Sequence, residues 1–137
     1  MASFTNLART SADVITVSEL TPDWLRRFYD AGMRDDFPYS VLVPLPGAGG
    51  YGLWSRHPVE VIAPLKGGSM VAARVDLAEV QVDPIVASVH VMNPLTFYGR
   101  AFDEWRAGIG AAKDRMDGLA AEAGDGAVIA AGDFNLI

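Results

Sequence analysis

The chain has 137 residues and a formal net charge of −6, from 17 acidic and 11 basic residues. This charge argues against broad electrostatic attraction to nucleic acid, although a divalent metal at a site can still attract a phosphodiester. Because there is no cysteine, disulfides, thiolate metal sites and thiol catalysis are excluded. The length and the 50% apolar content predict one domain over residues 1–137, with a hydrophobic core of its own.

The sequence also lacks the common membrane and secretion signals. It contains no run of about 18 apolar residues, and residues 1–10 lack the basic region and apolar core of a signal peptide. We therefore expect the chain as given to be soluble, and the sequence indicates no compartment.

The first predicted elements are a helix tail, a strand and a helix. Residues 1–12 show about one turn of helical pattern, and the β-branched run Asp13–Glu19 predicts a strand. Thr21–Asp23 then supplies an N-cap residue, a first-turn proline and an acid at the positive end of a helix. We expect this helix to end at Gly32.

A series of short strands is predicted next. Tyr39–Val43 predicts a strand, and the proline- and glycine-rich segment Pro44–Gly50 predicts a loop. Tyr51–Ser55 and Val59–Ala63 flank Arg56–Pro58 and predict a hairpin. The connections here are short, so neighbouring strands are expected to be antiparallel.

Two more strands are predicted before the longest helix. Lys66–Ser69 is expected to turn the chain into a strand over Met70–Leu77. Pro84–Met92 predicts a buried strand whose apolar run is interrupted at Ser88 and His90. His90 is therefore expected near the end of a strand.

The clearest helical pattern covers Phe102–Leu119, where apolar residues recur at steps of three and four. They are Phe102, Trp105, Ile109, Ala112, Met116 and Leu119. Three glycines in this segment each weaken a helix by roughly 1 kcal/mol relative to alanine, so the helix must depend on tertiary packing. Ala120–Gly126 is expected to end it, and the apolar run Val128–Ala131 predicts a buried strand. We predict that Trp105, Ile109 and Met116 pack on a sheet that includes the Val128 strand.

Polar residues stand at the ends of three of the predicted strands. Glu19 is at the end of the first, His90 is near the end of another, and Asp133 and Asn135 follow the last. Because side chains alternate along an extended segment, we expect Asp133 and Asn135 to share one side and Phe134 to pack on the other. A carboxylate can bind a metal or activate water, and an amide can donate to a phosphoryl oxygen without adding negative charge.

Each of these residues also has a purely structural explanation. Asp133 and Asn135 are common turn residues after a strand. Glu19 can be a solvated residue before a helix, and His90 can be a core or rim histidine. Their order along the chain and their shared position at strand ends favour a functional site.

Four segments carry recognisable motifs in a consistent order. Val14–Glu19 is similar to a strand that ends in Gln-Glu, with Ser18 in place of the glutamine. Trp54–Val59 is similar to a Ser-Arg-x-Pro hairpin, and Val86–His90 to a strand that ends in Thr-His. Gly132–Asn135 reads Gly-Asp-Phe-Asn letter for letter. Together these motifs resemble those of the endonuclease/exonuclease/phosphatase superfamily, the metal-dependent phosphodiesterases that include deoxyribonuclease I.

The resemblance implies a two-sheet α/β sandwich with helices outside, of which this chain supplies one sheet and part of the other. It also implies hydrolysis of phosphodiester or phosphomonoester bonds with Mg²⁺, or Mn²⁺, as the cofactor. Glu19 is the implied metal ligand, and Asp133 is implied to orient or deprotonate the attacking water. His90 and Asn135 are implied to hold the phosphoryl oxygens of the transition state. The substrate is left open among nucleic acid, nucleotide, phosphoinositide and phospholipid head group.

Two departures from the family pattern affect these expectations. No strand ending in asparagine precedes Asp13, and no Ser-Asp-His follows Ile137. We therefore expect the chain to be the middle of such a domain, from a truncated reading frame or a split protein. We also expect it to be a weak or inactive enzyme, with open sheet edges through which it can pair.

Two other classes of function are alternatives. A non-catalytic remnant or interaction module would keep the same scaffold without its chemistry. A nucleotide-binding unit of another α/β type is disfavoured, because Gly47–Gly50 leads into a strand and no glycine-rich phosphate loop opens a helix.

Overall fold

The computed structural model describes residues 2–62, 70–91 and 101–135, and the side chains of residues 2–4, 10, 101 and 102 lie outside that description. The described residues form two β-sheets flanked by helices, which confirms the predicted two-sheet α/β fold. In chain order the elements are α1 (Ala2–Ser11), β1 (Val14–Ser18), α2 (Pro22–Asp30), α3 (Met33–Asp36), β2 (Tyr39–Val43), β3 (Tyr51–Ser55), β4 (Val59–Val61), β5 (Met70–Val75), β6 (Ile85–His90), α4 (Ala101–Ala123) and β7 (Val128–Asp133).

The two sheets differ in the direction of their strands. The three-stranded sheet has the order β1-β3-β2, and both of its pairs are antiparallel. The four-stranded sheet has the order β4-β5-β6-β7, with β6 and β7 parallel and the other pairs antiparallel. Helix α4 lies between β6 and β7 in the chain, and parallel neighbours require a long connection of this kind. The predicted antiparallel pairing of β4 with β5 is confirmed.

The sheets face each other, and β1 lies against β6. Ser18 Oγ donates to the Val89 carbonyl at 3.5 Å, and Ser88 Oγ donates to the Val17 carbonyl at 3.4 Å. Because Ser18 lies beside Val89 and Val17 lies beside Ser88, these strands run in the same direction. The carboxyl ends of β1, β6 and β7 therefore lie at the same end of the sandwich.

Helix α4 covers the outer face of the four-stranded sheet. Trp105, Ile109 and Met116 pack against a buried cluster that contains alternate residues of β6, with Val128 and Ala130 of β7 packed on the same cluster. The predicted packing of α4 on the sheet that contains the Val128 strand is thus confirmed. Helix α4 extends beyond both predicted ends, and the side chain of Phe102 lies outside the described residues.

Helix α2 covers the outer face of the three-stranded sheet. Thr21 Oγ1 accepts the Trp24 backbone N–H at 3.1 Å, so Thr21 is the N-cap that the sequence predicts. Phe28 stacks on Trp54 of β3 with ring centroids 4.2 Å apart, and both rings are fully buried. This aromatic contact anchors α2 to the sheet that carries Glu19 at the end of β1.

The predicted hairpin of Tyr51–Ser55 and Val59–Ala63 is wrong. β3 pairs with β1 and β2, whereas β4 pairs with β5 in the other sheet, so Arg56–Pro58 carries the chain from one sheet to the other. At this crossing, the Arg56 backbone N–H donates to the Asp13 carbonyl at 3.0 Å, and the Arg56 guanidinium donates to carbonyl groups at and just after the carboxyl end of α1. Its acceptors are the carbonyls of Ala8, Arg9 and Ala12 at 3.1, 2.7 and 2.7 Å.

Some predicted features fall outside the described residues. They are the turn Lys66–Ser69, Ala63 at the predicted end of β4, and Met92 at the predicted end of β6. Within the part of the chain that the structure describes, no helix is both long and apolar enough to cross a membrane.

Candidate active site

Three strands of the sandwich end close to the predicted site residues. Glu19 follows β1, His90 is the last residue of β6, and Asp133 is the last residue of β7. Because these strands run in the same direction, all three residues lie at one end of the sandwich. His90 and Asp133 are directly paired in the parallel register of β6 and β7, so both side chains point to the same face of the sheet.

Glu19 occupies an exposed turn that is fixed by backbone hydrogen bonds. Its φ is 57°, a left-handed conformation that non-glycine residues rarely adopt. The next residue, Leu20, is fully buried, donates its N–H to the Gly50 carbonyl at 3.0 Å and accepts the Leu45 N–H at 3.0 Å. The turn therefore holds the Glu19 carboxylate at the surface while its neighbour is fixed in the core.

His90 is buried on the face of β6 that points toward the other sheet. Its exposed fraction is 4%, and its Nδ1 atom has no hydrogen-bond partner among the residues that the structure describes. Ser88 lies on the same face and bonds to β1, so the polar interruptions of this strand are both directed between the sheets. A buried ring nitrogen without a partner is energetically costly, and an ordered water, an ion or a bound ligand is what satisfies such a group in proteins.

Asp133 and Asn135 are brought together by a turn, so the predicted extended alternation through Asn135 is wrong. β7 ends at Asp133, and Asn135 has a left-handed φ of 47°. Asp133 Oδ1 accepts the Asn135 backbone N–H at 2.8 Å, which is an Asx-turn bond. The Asn135 side-chain Nδ2 donates to the Val91 carbonyl, and Phe134 packs on the α4 core as expected.

The two left-handed non-glycine residues of the described chain are Glu19 and Asn135. Such conformations cost free energy and persist where the surroundings enforce them, often at functional sites.

The backbone of Gly132, which precedes Asp133, is constrained by its conformation and by its neighbour. Its φ is 150°, and a Cβ there would lie 1.9 Å from the Val89 carbonyl oxygen. This close approach keeps β7 against β6 at the position where Asp133 meets His90.

Sequence reasoning missed two residues near this end of the sandwich. Trp105 Nε1 donates to the Phe134 carbonyl at 3.3 Å, so α4 holds the turn that contains Asn135. Tyr51 is buried and directly paired with Ser18, and burial raises the pKa of its phenol, partly opposed by the charge of Arg115. In the sequence, the helical period predicts Trp105 only as a core residue, and no local pattern predicts a role for Tyr51.

The candidate ligands at this end are carboxylate and amide oxygens, the donors that Mg²⁺ prefers. Mg²⁺ usually keeps several waters and binds one or two carboxylates together with substrate phosphate. The exposed Glu19 carboxylate fits that mode. Among the described residues, no group of three or more His, Cys, Asp or Glu side chains is arranged to hold a metal by itself.

Comparisons with known proteins identify the family of the chain. The family model described as "Endonuclease/Exonuclease/phosphatase family" matches residues 4–137. A comparison with curated proteins gives no significant match.

Several solved structures are similar in fold. A 3′-5′ exonuclease, NExo, from Neisseria meningitidis has a TM-score of 0.69 and 18% identity, and the match covers 98% of this chain and 52% of that one. The human nocturnin catalytic domain has a TM-score of 0.67 and 14% identity, with 98% and 55% covered. Truncated TDP2 from Caenorhabditis elegans has a TM-score of 0.67 and 13% identity, with 99% and 54% covered. The chain thus spans about half the length of these structures. Because the family model covers nearly the whole sequence, the chain belongs to the endonuclease/exonuclease/phosphatase family.

Proposed function

We propose that residues 1–137 form part of a metal-dependent hydrolase domain that cleaves phosphodiester or phosphomonoester bonds. The observation that carries the proposal is the position of Glu19, His90 and Asp133 at one end of the sandwich, where three strands that run in the same direction end. Ligands of open α/β sheets bind at such ends. Membership of the family supports the same class of reaction.

Glu19 is proposed to hold Mg²⁺, or Mn²⁺ in its place. Its carboxylate is exposed, and the bonds of Leu20 to Gly50 and Leu45 fix the turn, so little reorganisation is needed when a cation binds. When bound, the metal supplies positive charge that neutralises the phosphate and stabilises the leaving oxygen. This local charge would offset the net charge of −6, which otherwise repels an anionic substrate.

Asp133 is proposed to orient the attacking water and to accept its proton. One of its oxygens, Oδ1, already accepts the Asn135 N–H, which fixes the carboxylate and leaves Oδ2 for the water.

His90 is proposed to hold a phosphoryl oxygen through its ring. Its burial and the lack of a described partner for Nδ1 support this role, since a hydrogen bond made in a buried site of low dielectric constant is stronger than the same bond in solvent.

Asn135 is proposed to donate to another phosphoryl oxygen of the transition state. The side-chain amide has two N–H groups, so its bond to the Val91 carbonyl fixes the amide and leaves one N–H for the substrate. The Trp105 bond to the Phe134 carbonyl supports the same turn from the opposite side. Asn135 is therefore held by bonds on two sides before any substrate binds.

The proposed substrate is a phosphoester, of the nucleic acid, nucleotide, phosphoinositide or phospholipid head-group class. One similar structure, NExo from Neisseria, is described as a 3′ phosphatase bound to a product DNA hairpin. That description applies to NExo. For this chain it supports only the proposal that the substrate is a phosphoester. We also propose that activity is weak, because few chemical groups converge at the site within the described residues.

A non-catalytic remnant or interaction module is the second candidate. One observation favours it: the described residues contain no group of three metal-binding side chains, so the scaffold can persist without its chemistry. The two candidates differ in one measurable property, the binding of a divalent cation at Glu19.

Binding of Mn²⁺, followed by paramagnetic broadening of backbone amide signals, tests the proposal without requiring turnover. We expect broadening centred on Glu19, with weaker broadening near His90 and Asp133, and we expect Glu19→Gln to abolish it. Hydrolysis of bis-(para-nitrophenyl) phosphate in Mg²⁺ should fall by roughly 10²–10⁴ in Asp133→Asn. That substitution keeps the acceptor for the Asn135 N–H and should leave the fold intact.

Asp125→Asn is the matched control, because it removes the same charge from an exposed residue between α4 and β7. It should change neither the broadening nor the turnover. Absence of broadening at Glu19, or equal turnover in Asp133→Asn and Asp125→Asn, would favour the non-catalytic module.

A further inference from the structure

The three proposed site residues at the strand ends follow residues that lie around one carbonyl group, that of Val89. These preceding residues are Ser18, Val89 itself and Gly132. Ser18 Oγ donates to the Val89 carbonyl at 3.5 Å. The same carbonyl oxygen is the atom that a Cβ on Gly132 would meet at 1.9 Å, so the backbone of β7 lies directly against it. The ends of β1, β6 and β7 are therefore brought together immediately before the site.

A second hydrogen bond crosses between the sheets in the opposite direction. Ser88 Oγ, on β6, donates to the Val17 carbonyl of β1 at 3.4 Å. Each sheet thus donates one hydroxyl group to the backbone of the other, at neighbouring positions. Backbone ladders join the strands within each sheet, but β1 and β6 belong to different sheets. The two serine bonds therefore link the sheets directly beside the site.

The burial of Ser88 indicates why a polar residue at this position matters. Ser88 is fully buried, and a buried hydroxyl group costs free energy unless it makes a hydrogen bond. A displacement of β1 along β6 would leave this hydroxyl without its acceptor, the Val17 carbonyl. The bond therefore favours one position of β1 against β6, which apolar contacts between the same strands would specify less sharply.

We propose that Ser18 and Ser88 are positioning residues for the hydrolysis. They set the distance from Glu19, on one sheet, to His90 and Asp133 on the other. This inference rests on the proposed function, in which the metal is bound on one sheet and the attacking water on the other. Reacting groups must be held closely in such a reaction, since a misplacement of about 1 Å can cost roughly 10²-fold in rate.

The length of these bonds allows a positional effect to be separated from an effect on folding. Both are longer than the roughly 2.5–3.0 Å that is usual for hydroxyl donors. We therefore expect Ser18→Ala to remain folded, which circular dichroism can establish. The Glu19 turn should also persist in this variant, because the backbone bonds of Leu20 hold it independently of Ser18.

Paramagnetic broadening by Mn²⁺ in the wild-type and Ser18→Ala proteins tests the proposal, because broadening falls steeply with distance from the metal. We expect Ser18→Ala to change the broadening of the His90 and Asp133 amides relative to that of Glu19. The Mn²⁺ dissociation constant should stay within about twofold, since the carboxylate itself is retained. For bis-(para-nitrophenyl) phosphate in Mg²⁺, kcat should fall by roughly threefold to tenfold while KM changes little, as expected for lost alignment.

Three further variants separate positioning from a general effect of substitution. Ser18→Thr retains the hydroxyl group and should keep the wild-type broadening pattern and turnover. Ser88→Ala removes the second bond and should act in the same direction as Ser18→Ala. Ser40→Ala is the matched control, because it removes the same group from an exposed position on β2 of the sheet that contains Ser18. It should change neither the broadening nor the turnover.

The outcomes distinguish this proposal from the proposed function on which it rests. Absence of broadening at Glu19 in the wild-type protein would contradict the proposed function, and the positioning role with it. Broadening at Glu19 with an unchanged pattern at His90 and Asp133 in Ser18→Ala would overturn the positioning role alone. Equal changes in Ser18→Ala and Ser40→Ala, or in Ser18→Ala and Ser18→Thr, would also overturn it.

Discussion

His90 and Asp133 occupy directly paired positions on the parallel strands β6 and β7. One backbone bond fixes the pair, since the Val91 N–H donates to the Asp133 carbonyl at 2.8 Å. On the facing sheet, Ser18 is the residue before Glu19, and its Oγ donates to the Val89 carbonyl. The site therefore depends on two contacts between strands that are distant in sequence, and substitutions that disturb those contacts should affect it.

Gly132→Ala should destabilise the protein. The φ of 150° is unfavourable for alanine, and its Cβ would lie 1.9 Å from the Val89 carbonyl oxygen, so β7 must move away from β6. We expect a loss of at least about 1–3 kcal/mol in the free energy of unfolding, measured by urea denaturation. The Asp133 and Val91 amide signals should also shift.

Gly118→Ala is the control for this substitution. Gly118 lies within α4, and no described residue would contact a Cβ there within 4 Å. Alanine should stabilise the helix by about 0.5–1 kcal/mol, because glycine loses more backbone entropy on folding. If both variants lost stability equally, the close approach of Gly132 to Val89 would not be the cause.

Local sequence signals predicted most elements, because their physical causes are local. Thr21 caps α2 through a neighbouring backbone N–H, and the period of Trp105, Ile109 and Met116 reflects one buried helix face. The wrong prediction of a hairpin at Arg56–Pro58 rested only on the short separation of the two strands along the chain. Hairpins favour Asn-Gly or similar turns, and this segment has none. Instead, β3 pairs with β1 and β2 and β4 pairs with β5, and no local pattern reveals those distant partners.

The candidate site was predictable in its residue types but not in its geometry. Strand ends and polar residues are visible in the sequence, so Glu19, His90 and Asp133 could be singled out. In the left-handed turn at Asn135, the Asn135 backbone N–H donates to Asp133 Oδ1 and the Asn135 side chain donates to the Val91 carbonyl. The second bond joins segments that are distant in the chain, and alternation along an extended strand does not predict it.

Arg56→Ala should detach α1 from the sandwich. The guanidinium donates to three carbonyls near the end of α1 and lies 4.3 Å from the Phe37 ring centroid. Hydrogen bonds that involve a charged group contribute about 1.5–3 kcal/mol each and are not additive, so we expect a loss of at least about 2 kcal/mol. Hydrogen exchange should show faster exchange throughout α1.

Arg26→Ala is the comparison for Arg56→Ala. Arg26 pairs with Asp23 on the exposed surface of α2, where an ion pair contributes little. Its loss should change the free energy of unfolding by no more than about 0.5 kcal/mol. Equal effects of the two substitutions would mean that the Arg56 bonds to α1 do not hold the helix.

Trp105→Phe should loosen the turn that carries Asn135. It removes the N–H that donates to the Phe134 carbonyl and keeps most of the aromatic ring on the α4 core. We expect a modest loss of stability, about 0.5–1.5 kcal/mol for one hydrogen bond. Exchange of the Asn135 amide should accelerate more than exchange in the middle of β6. Uniform acceleration in both places would indicate a general loss of packing.

Tyr51→Phe should make the protein less sensitive to alkaline pH. Burial raises the pKa of the Tyr51 phenol above its ordinary value of 10.0, so the folded state favours the neutral phenol. This contribution to stability is fully present below pH 10.0 and is lost as pH rises through the higher pKa of the folded state. Phenylalanine cannot ionise, and the other tyrosines are common to both proteins. In urea denaturation from about pH 8 to about pH 11, the wild-type protein should therefore lose stability relative to Tyr51→Phe only above the ordinary tyrosine pKa. A constant difference between the two proteins across this range would mean that the Tyr51 pKa is the same in the folded and unfolded states.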